Sequence, residues 1–233
     1  MRIALLLLTL LASAAHAKPV SVHVVVALCD NATQGIVPVP PAIGDGNVPR
    51  TNLYWGAAYG LKTWLRRERW KVEAAKVPND AVLERLVARK TVNGREVVIT
   101  ADAWRGSRIR EAIAAFIGYA AGKGEGGRAD VVAYVGHDGL MEFDVAAQRA
   151  SAGARSPHSI VLACASLQYF GGYLRQAGSK PLLLTTGLMA PEAYTLTAAI
   201  EAWASGGDVH EAAAQAYHKY QKCGIKAARR LFR

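Results

Sequence analysis

Cysteine is scarce in this chain. Cys29, Cys164 and Cys223 are the only three among 233 residues. So small and odd a number excludes a disulfide scaffold and leaves at least one thiol unpaired in a monomer. Metal-binding motifs are also missing. No Cys-x-x-Cys or His-Glu-x-x-His occurs, and His158, His210 and His218 lack ligand spacing. No metal or other cofactor is therefore expected. The glycine-rich stretch Gly122 to Gly127 lacks a closing Gly-Lys-Ser/Thr and precedes an apolar run, which excludes a phosphate loop. There is no internal repeat, no coiled coil and no nucleic-acid motif. Beyond residue 17 no apolar run approaches the roughly 20 residues a bilayer span needs. Acidic residues are few: 18 against 28 Lys and Arg, for a net charge of +10. That excess favours an anionic envelope surface as a partner and not nucleic acid. Its densest cluster is Lys219, Lys222, Lys226, Arg229, Arg230 and Arg233, which also reads simply as a solvated helix face.

The N-terminus is rich where the rest is poor. Met1-Arg2, an apolar run from Ile3 to Leu11 and Ala15-His16-Ala17 have the order of a secretory signal peptide. Residues 1–17 are expected to be removed, leaving residues 18–233 as a single domain that works in the periplasm or outside the cell. An unpaired thiol in an oxidising compartment is a liability. Two readings stand: Cys164 is a reactive thiol, or Cys29 pairs with Cys223 and Cys164 is a small core residue. Pairing of Cys29 with Cys164 in a redox sensor is a third.

Strands and helices alternate along the chain. Ser21 to Leu28 reads as a first strand, followed by a Pro- and Gly-rich loop through Pro49. Asn52 can cap a helix over Leu53 to Arg67. Trp70 to Val77 reads as a strand and Ala81 to Arg89 as a helix. Asn93-Gly94 is a tight-turn signal before a strand over Glu96 to Thr100. Asp102 can cap a helix to about Ala121, with Ile109, Ile113, Phe116, Ile117 and Ala120 as its buried stripe. A polar loop runs through Ala150 to His158. Further helices are expected near Tyr169 to Ala177, from Pro191 to Gly206 and from Asp208 to about Gly224, with a strand over Pro181 to Thr186. The pattern predicts an α/β fold with a mostly parallel sheet and helices on both faces.

Two β-branched runs carry the chemistry. Val131 to Gly136 leads into His137, and Ser159 to Ala163 leads into Cys164. Reactive groups collect beyond the carboxyl ends of parallel strands. A thiol and an imidazole on neighbouring strand ends form a nucleophile–base pair. Asp30 follows the first strand. It is either an Asx-turn residue or a carboxylate facing a bound substrate. His23 reads as a core residue.

Tyr134-Val135-Gly136-His137-Asp138-Gly139 and Val161-Leu162-Ala163-Cys164-Ala165-Ser166 resemble the two strand-end motifs of the caspase-like cysteine peptidases. That group includes caspases, metacaspases, legumains, gingipains, separases and CHAT domains. Asn52 to Ala57, Arg105 to Ala115 and Phe170 to Ala190 are similar to its other elements, in the same order. The resemblance implies a three-layer caspase-like sandwich and a cysteine peptidase acting on a protein or peptide. His137 and Cys164 would be the catalytic pair, with the N–H groups of Cys164 and of Asp138 or Gly139 holding the oxyanion. Asp30 would favour Lys or Arg before the cut bond. Asp138 stands where the family usually has Gly. A catalytically inactive binding protein of the cell envelope is the alternative.

Overall fold

Strand β1 (Val20–Ala27) is apolar on both faces, with Val20, Val22, Val24, Val25 and Val26 all buried. A strand of that kind belongs in the middle of a sheet covered on both sides. The computed structural model describes residues 18–150, 153 and 155–233. The expected signal peptide lies outside these residues, as do Ser151, Ala152 and Ala154 of the polar loop.

The other strands are β2 (Lys71–Ala75), β3 (Val82–Val92), β4 (Arg95–Trp104), β5 (Val131–Val135), β6 (His158–Leu162) and β7 (Lys180–Leu183). Their order is β2-β3-β4-β1-β5-β6-β7. β3 pairs antiparallel with β2 and β4, and every other neighbouring pair is parallel. The chain is thus an α/β fold with a seven-stranded, mixed and mostly parallel sheet.

The helices are α1 (Leu61–Arg67), α2 (Ile109–Ala120), α3 (Ser166–Tyr169), α4 (Gly171–Ala177), α5 (Ala193–Ala204), α6 (Val209–Gln221) and α7 (Ile225–Leu231). Strand alternation divides the apolar residues into two cores. Val22, Val24 and Val26 pack with Leu65 of α1, Leu196 of α5 and Ala213 of α6. Val25 and Ala27 pack with Phe116 of α2 and Leu174 of α4. The α2 stripe is buried at the five positions its spacing predicts.

Several expectations are corrected. Residues 81–89 form most of β3, not a helix. Asn93 and Gly94 both have positive φ, the geometry of a two-residue hairpin turn, and pair β3 with β4 from Val92↔Arg95 onward. The helical spacing of Val82, Leu83, Leu86 and Val87 is overridden by that ladder. β4 extends past Thr100 to Trp104, so Asp102 is a strand residue and α2 starts only at Ile109. α1 starts at Leu61, not Leu53. The last expected helix ends at Gln221, where Lys222 turns left-handed, and α7 follows. Asp208 does cap α6, accepting the N–H of Glu211 at 3.0 Å. All three cysteines are free, with Cys29 buried and Cys223 exposed, so neither proposed disulfide is formed.

An ionic cluster lies inside the sheet. Asp102 is fully buried and accepts from Arg85 Nη2 at 2.8 Å, while His23 Nε2 lies 2.9 Å from the same oxygen. Arg85 also binds Glu125 at 2.9 Å. His23 packs on the ring of Tyr119. Burial alone raises the Asp102 carboxyl, but Arg85 and His23 outweigh it and hold it below its usual range.

Candidate functional site

Strand order reverses at β1. The chain places β4 on one side of it and β5, β6 and β7 on the other. A crevice outside the carboxyl ends of the strands is expected at such a reversal. A cleft of about 320 Å³ opens there, and Tyr54, Gly136, His137, Met141, Cys164 and Leu188 are among its lining residues.

The sheet brings His137 and Cys164 to this cleft. β5 and β6 are parallel neighbours with Val135 opposite Leu162, and each functional residue follows two positions later. Gly136 makes the turn out of β5 at φ +155°, and its N–H donates to Leu162 O at 3.2 Å. A Cβ there would press on the Ala27 carbonyl, so glycine is needed.

A carboxylate holds the His137 ring. Nε2 lies 2.5 Å from Glu142 Oε1, and the same oxygen accepts the N–H of Gly35 at 3.0 Å. The Tyr134 hydroxyl donates to His137 O at 2.8 Å. With Nε2 engaged, Nδ1 is the ring nitrogen left to face another group.

The thiol sits on a braced turn. Ala165 is left-handed at φ 47°, a conformation that costs a non-glycine residue about 1–2 kcal/mol. Its N–H donates to Gly187 O at 2.9 Å, and buried Ser166 bonds Thr185 and Val161 O. These bonds hold the turn against the segment after β7. Cys164 Sγ donates to Met189 O at 3.7 Å. Among the described residues no hydrogen bond joins the thiol to His137, and nothing accepts the N–H of Cys164.

Gly139 is not a free oxyanion donor, because its N–H donates to His137 O at 3.1 Å. Asp138 is buried, and its carboxylate caps the turn Gly139–Met141 by accepting the Leu140 N–H at 3.0 Å. Its other oxygen, Oδ2, is buried without a partner. Burial pushes this carboxyl up to about 7 against the Leu140 bond, and Glu142 pushes the same way.

Asp30 stands apart from His137 and Cys164. It lines a different cavity, of about 510 Å³, with Asn31, Thr33, Asp45 and Asn47. Its oxygens accept the Ala32 N–H at 3.0 Å and the Thr33 hydroxyl at 2.8 Å, which is the turn reading. A side chain at Gly46 or Gly106 would collide with the Asp30 Cβ, so the backbone can come this close only at glycine.

Asn52, expected to cap a helix, braces the loop instead. Its amide accepts the Cys29 N–H at 3.1 Å and donates to Cys29 O at 2.8 Å and to Asp45 O at 3.0 Å. Burial pushes the Cys29 thiol up to about 11 against the opposing effect of Tyr54, and Asp30 raises it further. Glu142 and Tyr54 are site residues that sequence reasoning missed. Glu142 had one faint signal, a carboxylate five residues after the strand-end histidine.

Compared with known protein families, curated proteins and solved structures, the chain matches none. Among the described residues no helix is long and apolar enough to cross a membrane. Among the same residues no group of three or more His, Cys, Asp or Glu side chains could hold a metal ion.

Proposed function

We propose that the chain is an exported cysteine peptidase with the three-layer, caspase-like architecture its motifs resemble. The observation that carries this reading is that His137 and Cys164 line one cleft at the ends of adjacent parallel strands. A thiol needs little adjustment from a free pKa near 8.5 to act as a thiolate at neutral pH. In the proposed reaction the Cys164 proton passes to His137 and Sγ bonds to the carbonyl carbon of a peptide. The C–N bond then breaks, with His137 returning the proton to the departing amine. Water hydrolyses the thioester, giving the carboxylic acid and the free thiol. Glu142 holds the imidazole and stabilises it when protonated. The oxyanion donors are the N–H groups of Cys164 and Asp138. Losing one such donor costs a reaction about 3–4 kcal/mol of barrier.

The test is a Cys164→Ala change in the mature chain. It should abolish peptide cleavage with no change in fold, and cleavage that persists removes the assignment. Asp30 does not enter this reading, so Lys/Arg selectivity is not part of it.

A second reading, an inactive binding protein of the envelope, is favoured by two contacts. The thiol donates to Met189 O, and Gly139 N–H is spent on His137 O. The basic residues of α6 and α7 would then dock an anionic surface. Binding that does not weaken with salt would count against it.

A further inference from the structure

Among the described residues, three of the five large apolar side chains left in solvent border the cleft of Cys164, while Val77 and Leu167 lie outside its lining. Val37 is 87 % exposed, Leu188 79 % and Met141 45 %, and all three line the cleft that holds the thiol. Ile36 and Met189 extend the same wall. Scattered apolar residues on a surface need no explanation, but a grouped set marks a binding surface. These five come from three separate segments: the loop after β1, the turn after β5 and the segment after β7. Their meeting at one place is therefore a product of the fold.

The carboxylates nearest in the chain, Glu142, Asp138 and Asp30, do not line the cleft. Glu142 is held by His137 and by the Gly35 N–H. Asp138 caps its own turn, and Asp30 lines another cavity. Among the described residues the cleft wall carries no carboxylate, lysine or arginine, and its imidazole, His137, is already held by Glu142. At about 320 Å³ the cleft is at the small end of the roughly 300–1,000 Å³ typical of ligand sites. It has room for one large side chain beside the thiol.

We propose that this cleft selects an apolar side chain, of leucine or methionine kind, on the residue whose carbonyl is presented to Cys164. The inference rests on the reading of Cys164 as an acyl-accepting thiol and adds the substrate class. An apolar side chain enters by burying itself against Leu188, Met141 and Val37, which recovers the exposure of both surfaces. A lysine or aspartate would lose its water there with no partner in return.

The test uses the whole mature chain and four peptidyl chloromethyl ketones that differ only in the last residue: Leu, Met, Lys or Asp. The thiolate displaces chloride, an S–C bond forms, and mass mapping of the digested chain separates the label on Cys164 from any on the exposed Cys223. The Leu and Met reagents should label at least about tenfold faster than the Lys and Asp reagents. Leu188→Ser and Met141→Ser, both at exposed positions, should slow the Leu reagent while leaving iodoacetamide alkylation of Cys164 unchanged. If the Lys reagent labels Cys164 as fast as the Leu reagent, the apolar preference is wrong and the thiol reading stands. If iodoacetamide alkylates Cys164 and no peptide reagent does, the peptidase reading falls and the preference falls with it. If Leu188→Ser turns a dimer into a monomer with all labelling rates unchanged, the apolar rim serves self-association and the proposal is overturned.

Discussion

Two histidine–carboxylate pairs in this molecule have opposite surroundings. His23 and Asp102 meet at 2.9 Å within the sheet, where Arg85 takes both carboxylate oxygens. His137 and Glu142 meet at 2.5 Å on the rim of a cleft that also holds a thiol. The bond type is the same, and the difference is in what else the imidazole can reach. The inner ring packs on Tyr119 and borders a hollow of about 200 Å³ whose wall includes Thr100, Glu125 and Arg128 but no thiol. A carboxylate-held histidine is therefore scaffold in one place and a candidate reagent in the other, according to whether a nucleophile shares its cavity.

The largest effect should come from the inner pair. Asp102→Asn leaves the buried Arg85 guanidinium with only the exposed Glu125 as a charge partner. Breaking a buried pair in this way costs about 3–5 kcal/mol, measured by urea unfolding at pH 7. A loss below about 1 kcal/mol would show that the cluster is not a structural brace. Because the folded state holds Asp102 below its usual range, its contribution is present above pH 3.8 and is lost as pH falls through the lower folded value.

Asp138 is, like Asp102, a buried carboxyl, but no cation among the described residues is paired with it, which sharpens the contrast. Its folded value of about 7 lies above the 3.8 of an unfolded chain. The native state thus binds the extra proton between these values. Stability is highest below pH 4 for this group and falls as pH rises towards 7, by up to about 4 kcal/mol. Asp138→Asn should remove that slope. A parent chain whose stability rises from pH 4 to pH 7 to the same extent as the variant's would contradict the assignment.

The thiols repeat the comparison. Cys29 lies under Tyr54 with its value pushed up to about 11. At pH 8 it should alkylate about a hundredfold more slowly than an ordinary thiol near 8.5. Rapid labelling of Cys29 would mean that the loop over it opens. The smallest effect on stability is expected at the outer pair. Glu142→Gln should stay within about 1 kcal/mol of the parent, as for other half-exposed ion pairs. It should nevertheless change the pH profile of Cys164 alkylation, since an amide does not stabilise an imidazolium. An unchanged profile would detach Glu142 from the site.

Much of the layout was legible in the sequence, for specific reasons. β1, β5 and β6 are short, mostly buried runs containing Val or Ile, and α2 has a stripe at helical spacing, so local pattern and burial agree. β3 was misread because Val82 to Val92 suits both periods, and its pairing with β4 decides the matter. Asp102 was misread for a related reason. Aspartate before a helical stripe suggests a cap, and only the distant Arg85 and His23 show why it is buried in a strand. His137 and Cys164 stand out in the sequence because each follows an apolar strand run. Glu142 was not, since its partner Gly35 comes from a loop more than a hundred residues earlier. Asp30 reads as a pocket residue and does line a cavity, but not the one that holds His137 and Cys164.

The Asn52 amide separates two traits. It fastens the long segment after β1 at Cys29 and Asp45 and makes no bond to Ile36 or Val37. Replacement at Ile36 or Val37 can alter what the molecule accepts while the anchorage stays intact. Damage to the anchorage would deform the entrance without altering any residue in it. Selectivity can therefore drift through mutation under one set of pressures, and robustness under another.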